Sequence, residues 1–467
     1  MGAPRGASGI DGVVSFAAGV AADPLPPAMP TPVGAIAVVG ALAALAAALP
    51  PLRRHHDGGC EAWDPAPDDA AVPTVPGFPW ENRWFDVTSP TAAGAAATGL
   101  EVSAFVQPRG RAGGWSWSNA SVIADRESHE FLVVDSLQDV VLTRHMLDAW
   151  LGGGGGHARN FTFAGTLLVT HADVDHVNGI PAFDRGTEVV AHAAAAAELK
   201  LMPQSADWMI GVGAAIWRLL QSRLGLALYT SKWTKRWARP IAAAACYGSL
   251  FEEFHMYSIP DLGGYTVEAF AEDERRLQWH GHEVILRRLG PAHTAGDVVV
   301  HVPAARVLFA GDIVFWGVTP VQWAGPASNN IAALDAVGAL DVDLVVPGHG
   351  PVVDPPTVER LKAYWEFVAE VAAHCHRAGT AAFPCAAEAM ADVPEPFAGW
   401  QHPERLHINV AVELRHLEDT GFAQVTHAEK LELILEQGGL LAAQYFAEAS
   451  QRAAPRGDVR KRFGGAA

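Results

Sequence analysis

One short segment, THADVDHVNG at 170–179, holds four possible metal ligands within six residues. In an extended or tightly looped backbone, His171, Asp173 and Asp175 point to the same side, because side chains alternate with a period of two. The side chain of His176 projects from the next position along the chain. Imidazole and carboxylate groups are the donors that borderline and hard divalent metal ions prefer. The segment therefore predicts part of a metal site.

Three later fragments offer further ligands in a fixed order. GPAHTAGD contains His293, FAGD contains Asp312, and VVPGHGP contains His349. Each ligand lies beside a glycine or close to one, where the backbone can approach a metal ion closely. Any one fragment alone is typical of a structural residue. Four fragments in this order, each at the end of an apolar run, predict that their side chains meet.

Short apolar runs are the elements expected to position these ligands. Up to the start of the first fragment they are 101–107, 120–124, 130–135 and 166–170, with a helix at 141–150, and a further run at 188–192 follows that fragment. After it come HEVILRRL, DVVVHVP, RVLFAGD and DLVVPGH, each of which ends near a polar residue. Strands of this kind place their polar residues in the loops of an α/β sandwich.

The fragments together resemble the metallo-β-lactamase superfamily pattern, which runs HxHxDH, then His, then Asp, then His. The resemblance covers about residues 100–355, and GWSWSNASVI with VVDS is similar to the opening strands of that fold. It implies an α/β fold of the αββα sandwich type, with the metal site at one edge. It also implies that Asp135 supports the metal-binding loop.

The resemblance implies two groups of ligands. The first metal ion would be held by His171, Asp173 and His293, and the second by Asp175, His176 and His349, with Asp312 bridging. Asp173 departs from the pattern, which has histidine there. A more carboxylate-rich first site shifts preference from zinc toward iron or manganese, or weakens the first metal. We expect two divalent ions, with zinc first and iron or manganese as alternatives.

Hydrolysis is the chemistry expected of such ligands. Two cations can share a hydroxide and lower its pKa toward neutrality. They also polarise a carbonyl or phosphoryl oxygen, so that no separate oxyanion hole is required. Asp175 has a second expected role, to orient the nucleophile or to pass a proton. The expectation is a hydrolase that uses a metal-bound hydroxide at a dinuclear site.

The residue at 312 bears on the substrate. An aspartate there resembles the glyoxalase II-like branch, whereas the best-known zinc β-lactamases have cysteine. We therefore expect an ester, thioester or lactone substrate, with Trp316 and Trp323 either lining the substrate mouth or packing under loops. An iron-dependent redox enzyme of the same fold, a phosphodiesterase or nuclease, and a silent relative with one metal remain alternatives.

Composition along the chain predicts three regions. Residues 1–80 are a flexible leader rich in Pro, Ala and Gly, and their apolar run 33–49 leaves an anchor or a signal open. Residues 81–355 form the metallo-β-lactamase-fold domain, with a helical insertion at 207–260 that could cap the site, form an oligomer contact or face a membrane. Residues 356–467 form a helical extension.

The extension contains clear helix signals. Apolar spacing predicts helices at 358–377 and 405–418. Thr426 and Glu429 have the spacing of a capping box before LELIL, and Gly438 supplies a stop.

Net charge and cysteine content limit the binding partners and the cellular compartment that can be expected. A formal net charge of −18 on 467 residues argues against nucleic-acid binding, so the expected partner is a small-molecule substrate. Membrane association is not expected, and the oligomeric state is open. The basic run KWTKRWAR at 232–239 is interpreted as an exposed loop or helix face, with a binding surface as the alternative. The cysteines are widely spaced and lack a CxxC pair: Cys60, Cys246, Cys375 and Cys385. They imply neither a disulfide framework nor a cysteine zinc site, which favours a reducing, cytoplasmic location.

Overall fold

The computed structural model describes residues 75–78, 83–88, 99–107, 118–152, 159–201, 216–217, 219–250 and 264–453. Most of the predicted leader, including its apolar run, lies outside these residues. The chain divides into two compact units. Of the described residues, the first unit comprises those within 75–201 and 264–433, and the second comprises those within 216–250 and 434–453.

The first unit contains a sheet of seven strands in sequence order. They are β1 (Arg83–Asp86), β2 (Leu100–Val106), β3 (Ala120–Asp125), β4 (Glu130–Val134), β5 (Thr162–Leu168), β6 (Glu188–His192) and β7 (Thr266–Phe270). Strands β1 to β4 pair antiparallel, and β4 to β7 pair parallel.

A second sheet of five strands has the order β12-β11-β10-β9-β8. Its strands are β8 (Glu274–Trp279), β9 (His282–Arg288), β10 (Val298–Val302), β11 (Val307–Phe315) and β12 (Leu344–His349). The β11–β12 pair is parallel, and the other three pairs are antiparallel. The parallel pairing brings the ends of β11 and β12 to the same edge of the sheet.

Helices lie on both sheets of the first unit and form the C-terminal region. In chain order the helices are α1 (Val140–Leu151), α2 (Val174–Val177), α3 (Ala193–Leu201), α4 (Arg223–Thr230), α5 (Lys235–Leu250), α6 (Ala327–Gly338), α7 (Pro355–Arg360), α8 (Lys362–Ala378), α9 (Ala382–Ala389), α10 (Leu406–Glu418) and α11 (His427–Ala453). The second unit contains α4, α5 and the later part of α11. Within the described residues, no helix is both long enough and apolar enough to cross a bilayer.

Three layers of apolar contact define the sandwich. Between the sheets, Ile123 and Val134 of the first pack with Val300 and Phe309 of the second. The other face of the first sheet packs against α1 and α3, and the other face of the second packs against α6, α8 and α10. This arrangement confirms the predicted αββα fold. The strands that sequence analysis missed, β1, β7 and β8, are short and partly exposed, so they lack a continuous apolar run.

The C-terminal helices confirm most of their predicted signals. Thr426 and Glu429 form the expected capping box, with the Thr426 amide donating to Glu429 Oε2 at 2.7 Å and the Glu429 amide donating to Thr426 Oγ1 at 3.3 Å. The predicted stop at Gly438 is wrong, because α11 continues to Ala453. One glycine costs a helix only about 1 kcal/mol, which burial of later side chains such as Phe446 offsets.

The structure contains a disulfide, although the cysteine spacing implied no disulfide framework. Cys375, near the end of α8, is bonded to Cys385 in α9, with their Cα atoms 6.0 Å apart. The chain reverses between the two helices, which brings together cysteines that are ten residues apart and carry no CxxC signature. The premise for a reducing compartment is thereby removed.

Candidate metal centre

The first ligand fragment changes conformation half-way. The chain is extended at Asp173, which is the N-cap of the short helix α2. Asp175 therefore lies on a helical turn and does not continue the expected period-two alternation. That turn directs Asp175 and His176 to a different group of ligands from His171 and Asp173.

The other ligands come from the second sheet and its loops. His293 lies in the loop between β9 and β10, Asp312 lies within β11, and His349 ends β12. Phe315 of β11 pairs with His349, and their rings stack with centroids 4.9 Å apart. The edge formed by β11 and β12 thus faces the first ligand fragment.

All seven predicted ligands come together. We call His171, Asp173 and His293 the first trio, and Asp175, His176 and His349 the second trio. Within each trio, one ligand atom from each residue lies within 4.8 Å of the others. His171, His176 and Asp312 form a further group by the same measure. The two trios are the ligand groups that the resemblance named, and the binding of an ion by each stays a prediction.

Asp312 lies between the two trios. Its Oδ2 is 3.3 Å from Nε2 of His293 and 3.3 Å from Nε2 of His349. The same oxygen is 3.7 Å from Nε2 of His171. Its Oδ1 is 3.1 Å from Nε2 of His176. The carboxylate therefore contacts histidines of both groups.

The donor set fits divalent metal ions. Among the described residues, Nε2 of His171, Nε2 of His176 and Oδ1 of Asp312 are buried without a hydrogen-bond partner. Buried polar atoms normally have partners, so orphaned atoms that face one another indicate a ligand. The opposite ring nitrogen of His293 is held by the Val321 carbonyl at 2.7 Å. Such support leaves Nε2 free to coordinate.

Asp135 fixes the base of the first fragment. Its Oδ2 lies 2.8 Å from Nδ1 of His176, and its Oδ1 accepts from the Thr170 amide at 2.9 Å. The Thr170 hydroxyl also donates to Asp135 Oδ2 at 2.8 Å. A buried carboxylate behind a ligating histidine orients the ring and raises its basicity. This is the supporting position that the resemblance implied for Asp135.

The histidines of the cluster differ in the direction in which their pKa values are shifted. Burial opposes the charge of His293, but Asp312 and Asp173 raise its pKa to about 9. Burial and the nearby His176 lower the pKa of His171 to about 3. Burial would raise the pKa of Asp312, but the surrounding histidines hold it well below its usual range. At neutral pH a metal ion must therefore displace at least one proton.

Asp173 has two partners that sequence analysis missed. Nζ of Lys430, in the first turns of α11, lies 3.0 Å from Asp173 Oδ1. Nε1 of Trp323 donates to Asp173 Oδ2 at 3.0 Å, and His293 Nε2 lies 3.0 Å from the same oxygen. Oδ2 of Asp173 thus faces His293, the neighbouring member of its trio, and Oδ1 faces Lys430. Lys430 is 257 residues away in sequence, so no local motif could have indicated it.

The segment before α11 is bonded to the loops of the site. The Gln424 side chain accepts from the Ala295 amide at 3.0 Å and donates to Glu198 at 2.6 Å. The Val425 amide donates to the Trp323 carbonyl at 2.9 Å. The predicted helical extension therefore contributes directly to the surroundings of the first trio.

The two tryptophans proposed for a substrate mouth have different surroundings. Trp323 is also buried, at 2% exposure, but its Nε1 contacts Asp173 of the first trio, and Lys430 Nζ lies 5.1 Å from its ring centroid. Trp316 is fully buried, and its ring packs against Trp400 and beneath the guanidinium of Arg360. The structure therefore places Trp316 in the core beneath the site and not on an accessible surface.

The glycines on either side of His349 allow other protein atoms to pack closely against the backbone. A Cβ at Gly348 would lie 1.9 Å from Oδ1 of Asp312. Gly350 has a φ of 99°, and a Cβ there would lie 1.9 Å from the carbonyl oxygen of Trp316. These glycines are thus required by a ligand side chain and by backbone, whereas the sequence suggested close approach to a metal.

Comparison with known proteins agrees with this geometry. The model of the metallo-beta-lactamase superfamily matches residues 261–349, which include His293, Asp312 and His349. The match covers 89 of the 467 residues, so this segment is similar to the superfamily. At the level of the superfamily, the match supports a hydrolase fold, and the seven side chains are candidate metal ligands. No curated protein matches the chain.

Three solved structures of low sequence identity are similar to this chain. The stereoselective inverting sec-alkylsulfatase Pisa1 from Pseudomonas sp. is 15% identical, with 81% of this chain and 62% of that chain covered and a TM-score of 0.43. A metallo-beta-lactamase family protein from Thermus thermophilus is 17% identical, with 65% and 89% covered and a TM-score of 0.38. A metallo-beta-lactamase from Pontibacter korlensis is 16% identical, with 58% and 95% covered and a TM-score of 0.34. The chain thus spans 62% of the length of the alkylsulfatase, and similarity at these levels does not inform its substrate.

Proposed function

We propose that this protein is a hydrolase of the glyoxalase II-like type, which uses two divalent metal ions to cleave an ester, thioester or lactone. The observation that supports it best is the position of Asp312. One of its oxygens lies 3.3 Å from Nε2 of both His293 and His349, which belong to different trios. A carboxylate in that position suits a bridge between two cations.

The ligand types support zinc first, with manganese or iron as alternatives. The set combines four imidazoles with three carboxylates, which zinc accepts and which manganese and iron also favour. When bound, the ions would lower the pKa of a coordinated water and polarise the carbonyl oxygen of the substrate. Asp135 and the Val321 carbonyl hold the His176 and His293 rings so that Nε2 faces the cluster.

Substrate approach is proposed from the side of Asp173 and Asp175. Their side chains are 21% and 10% exposed, whereas that of Asp312 is 4% exposed. Asp175 Oδ2 also lies 3.2 Å from His349 Nε2, next to the bridging position. We therefore assign Asp175 the added role of orienting the nucleophile or accepting its proton. Trp323 is 2% exposed and donates to Asp173 Oδ2 at 3.0 Å, so we propose that it positions Asp173 and does not contact the substrate.

Metal content and hydrolysis, measured on the same preparations, test this function. Wild type, Asp312→Asn and Asp343→Asn would be analysed for metals and assayed on ester, thioester, lactone and phosphodiester substrates. Asp343 is a matched control, because its carboxylate pairs with Arg306 at 2.9 Å and belongs to neither trio. We expect about two equivalents of metal in wild type and control, with metal and hydrolysis both reduced in Asp312→Asn.

Three results would contradict the proposal. Iron with oxygen-dependent turnover and no hydrolysis would favour the redox alternative. Cleavage of phosphodiesters alone would favour a nuclease. Full hydrolysis by Asp312→Asn with unchanged metal content would remove the bridging carboxylate from the mechanism.

A further inference from the structure

The α4–α5 hairpin, residues 223–250, differs in charge from the rest of the chain. Residues 208–251 contain six Lys or Arg and no Asp or Glu, although the whole chain has a formal net charge of −18. Such a local excess of positive charge requires an explanation, because a random surface of this chain would be acidic. The hairpin belongs to the second compact unit and is separate from the metal ligands in sequence.

Large apolar side chains are exposed on the same hairpin. Leu224 is 63% exposed, Trp233 is 79% exposed and Trp237 is 52% exposed, and Leu228 is also exposed. Leu219, just before the hairpin, is 50% exposed. Leu224 and Leu228 are four residues apart, as are Trp233 and Trp237, so each pair lies on one side of its helix or turn. Exposed apolar groups clustered in this way mark an interaction surface.

Cations alternate with these aromatic rings. Lys232 and Arg236 each precede a tryptophan, with Nζ 5.2 Å from the Trp233 ring centroid and the guanidinium carbon 4.6 Å from the Trp237 centroid. The opposite side of the hairpin is packed, since Tyr229 stacks on Phe446 with centroids 4.0 Å apart. The exposed side is therefore not an unfolded edge but the outer face of a packed helical pair.

We propose that this face binds the surface of a lipid bilayer that contains anionic lipids. The Trp–Lys face comprises Leu219, Arg223, Leu224, Leu228, Lys232, Trp233, Arg236 and Trp237. Tryptophan prefers the interface between headgroups and acyl chains, and Lys and Arg extend their charged ends to lipid phosphates while their stems cover apolar surface. Leucines on the same face insert to the depth of the acyl boundary. The protein lies on the bilayer by this face.

Two other occupants suit the face less well. Nucleic acid would accept stacking on the tryptophans, but it offers no apolar phase for exposed leucines such as Leu224. A second copy could present acidic groups, but the same face on two copies would bring cations together. An anionic bilayer alone supplies negative charge and hydrocarbon in one surface.

Vesicle flotation of the full chain tests the proposal. The vesicles are phosphatidylcholine with a quarter phosphatidylglycerol, compared with pure phosphatidylcholine. One variant removes the exposed cations, Arg223→Gln with Lys232→Gln and Arg236→Gln, and another removes the rings, Trp233→Ser with Trp237→Ser. The control, Arg144→Gln with Arg377→Gln and Leu417→Ser, removes exposed residues of both kinds from outside the hairpin. Circular dichroism and melting temperature check the fold of every variant.

We expect binding to anionic vesicles that weakens at high salt and is retained by the control. Each cation near an anionic surface contributes about fivefold, so the triple variant should bind about a hundredfold more weakly. The tryptophan variant should lose binding without changing the number of charges. Binding that is equal for neutral and anionic vesicles, or absent from both, would overturn the proposal. So would a wild-type dimer that the variants dissociate, or binding to a single-stranded oligonucleotide as tight as to vesicles.

Discussion

Replacing Lys430 with methionine should tighten binding of the metal ion at the first trio. Asp173 is shared between that trio and the lysine, with one oxygen facing each. Burial opposes the charge of Lys430, but Asp173 and Glu198 raise its pKa above the usual value, so the ammonium is charged at neutral pH. Lysine and metal ion therefore compete for the negative charge of one carboxylate.

The magnitude follows from the geometry of the ion pair. The Lys430 and Asp173 atoms are 3.0 Å apart, and the two side chains are 16% and 21% exposed. Hydrogen bonds between charged groups add about 1.5–3 kcal/mol, and partial exposure favours the lower end. Without metal, Lys430→Met should therefore lower the free energy of unfolding by about 1.5 kcal/mol. When a metal ion is bound, its positive charge stabilises Asp173 in place of the lysine, so the metal-bound variant does not lose this stability. The loss of about 1.5 kcal/mol in the metal-free variant alone corresponds to about tenfold tighter binding of the first ion.

Two measurements check this prediction. Urea unfolding of chelator-treated protein gives the stability change, and competition with a chromophoric chelator gives the metal affinity. Lys430→Arg keeps the cation and should bind metal as wild type does. Lys362→Met removes a lysine that pairs with Asp335 and Glu359 away from the site, and it should leave the affinity unchanged. Weaker metal binding in Lys430→Met would refute the competition and show that the lysine acts as an orienting clamp for Asp173.

Three further changes test other parts of the structure. Gly348→Ala should abolish metal binding in elemental analysis, because its Cβ would lie 1.9 Å from Oδ1 of Asp312. The Cβ of Gly399→Ala would meet nothing within 4 Å, so that control should bind metal normally. The pKa of His293 is raised from 6.5 to about 9, so its contribution to the stability of metal-free protein is complete below pH 6.5 and is lost as the pH rises through 9. The melting temperature of chelator-treated protein should therefore fall as the pH rises from 6.5 to 9. His293→Asn should make this pH dependence weaker. The metal affinity of the wild type should rise over the same pH range. Reducing Cys375–Cys385, which closes a loop between residues ten apart, should lower the free energy of unfolding by about 3 kcal/mol in denaturant titrations, and an unchanged midpoint would contradict it.

The ligands and the main strands could be predicted because their signals are local. Each of His293, Asp312 and His349 follows or ends a buried apolar run, and strands such as β10 are buried along their whole length. The parallel pair β11 and β12 brings the carboxyl ends of these two strands, with Asp312 and His349, to one edge. The meeting of all four fragments was predicted from their order together with the superfamily resemblance.

The partners of Asp173 could not be predicted in this way. Lys430 belongs to a helix whose local signals describe only its start, and its position opposite Asp173 depends on packing of residues far apart in sequence. The Cys375–Cys385 bond depends similarly on the reversal between two helices. The continuation of α11 through Gly438 was misjudged because the propensity of one residue is small compared with burial of the next turns.

Charge balance explains why an aspartate and a lysine occur together here. Where the superfamily pattern has a neutral imidazole, this chain has Asp173, which adds a negative charge to a site that already contains Asp175 and Asp312. The ammonium of Lys430, 3.0 Å from Asp173, cancels that addition. The pair therefore presents the same net charge as the histidine it replaces, but it offers oxygen in place of nitrogen. Because the net charge is kept and the donor atom is changed, the substitution should alter which metal ion is preferred at the first trio more than whether one binds.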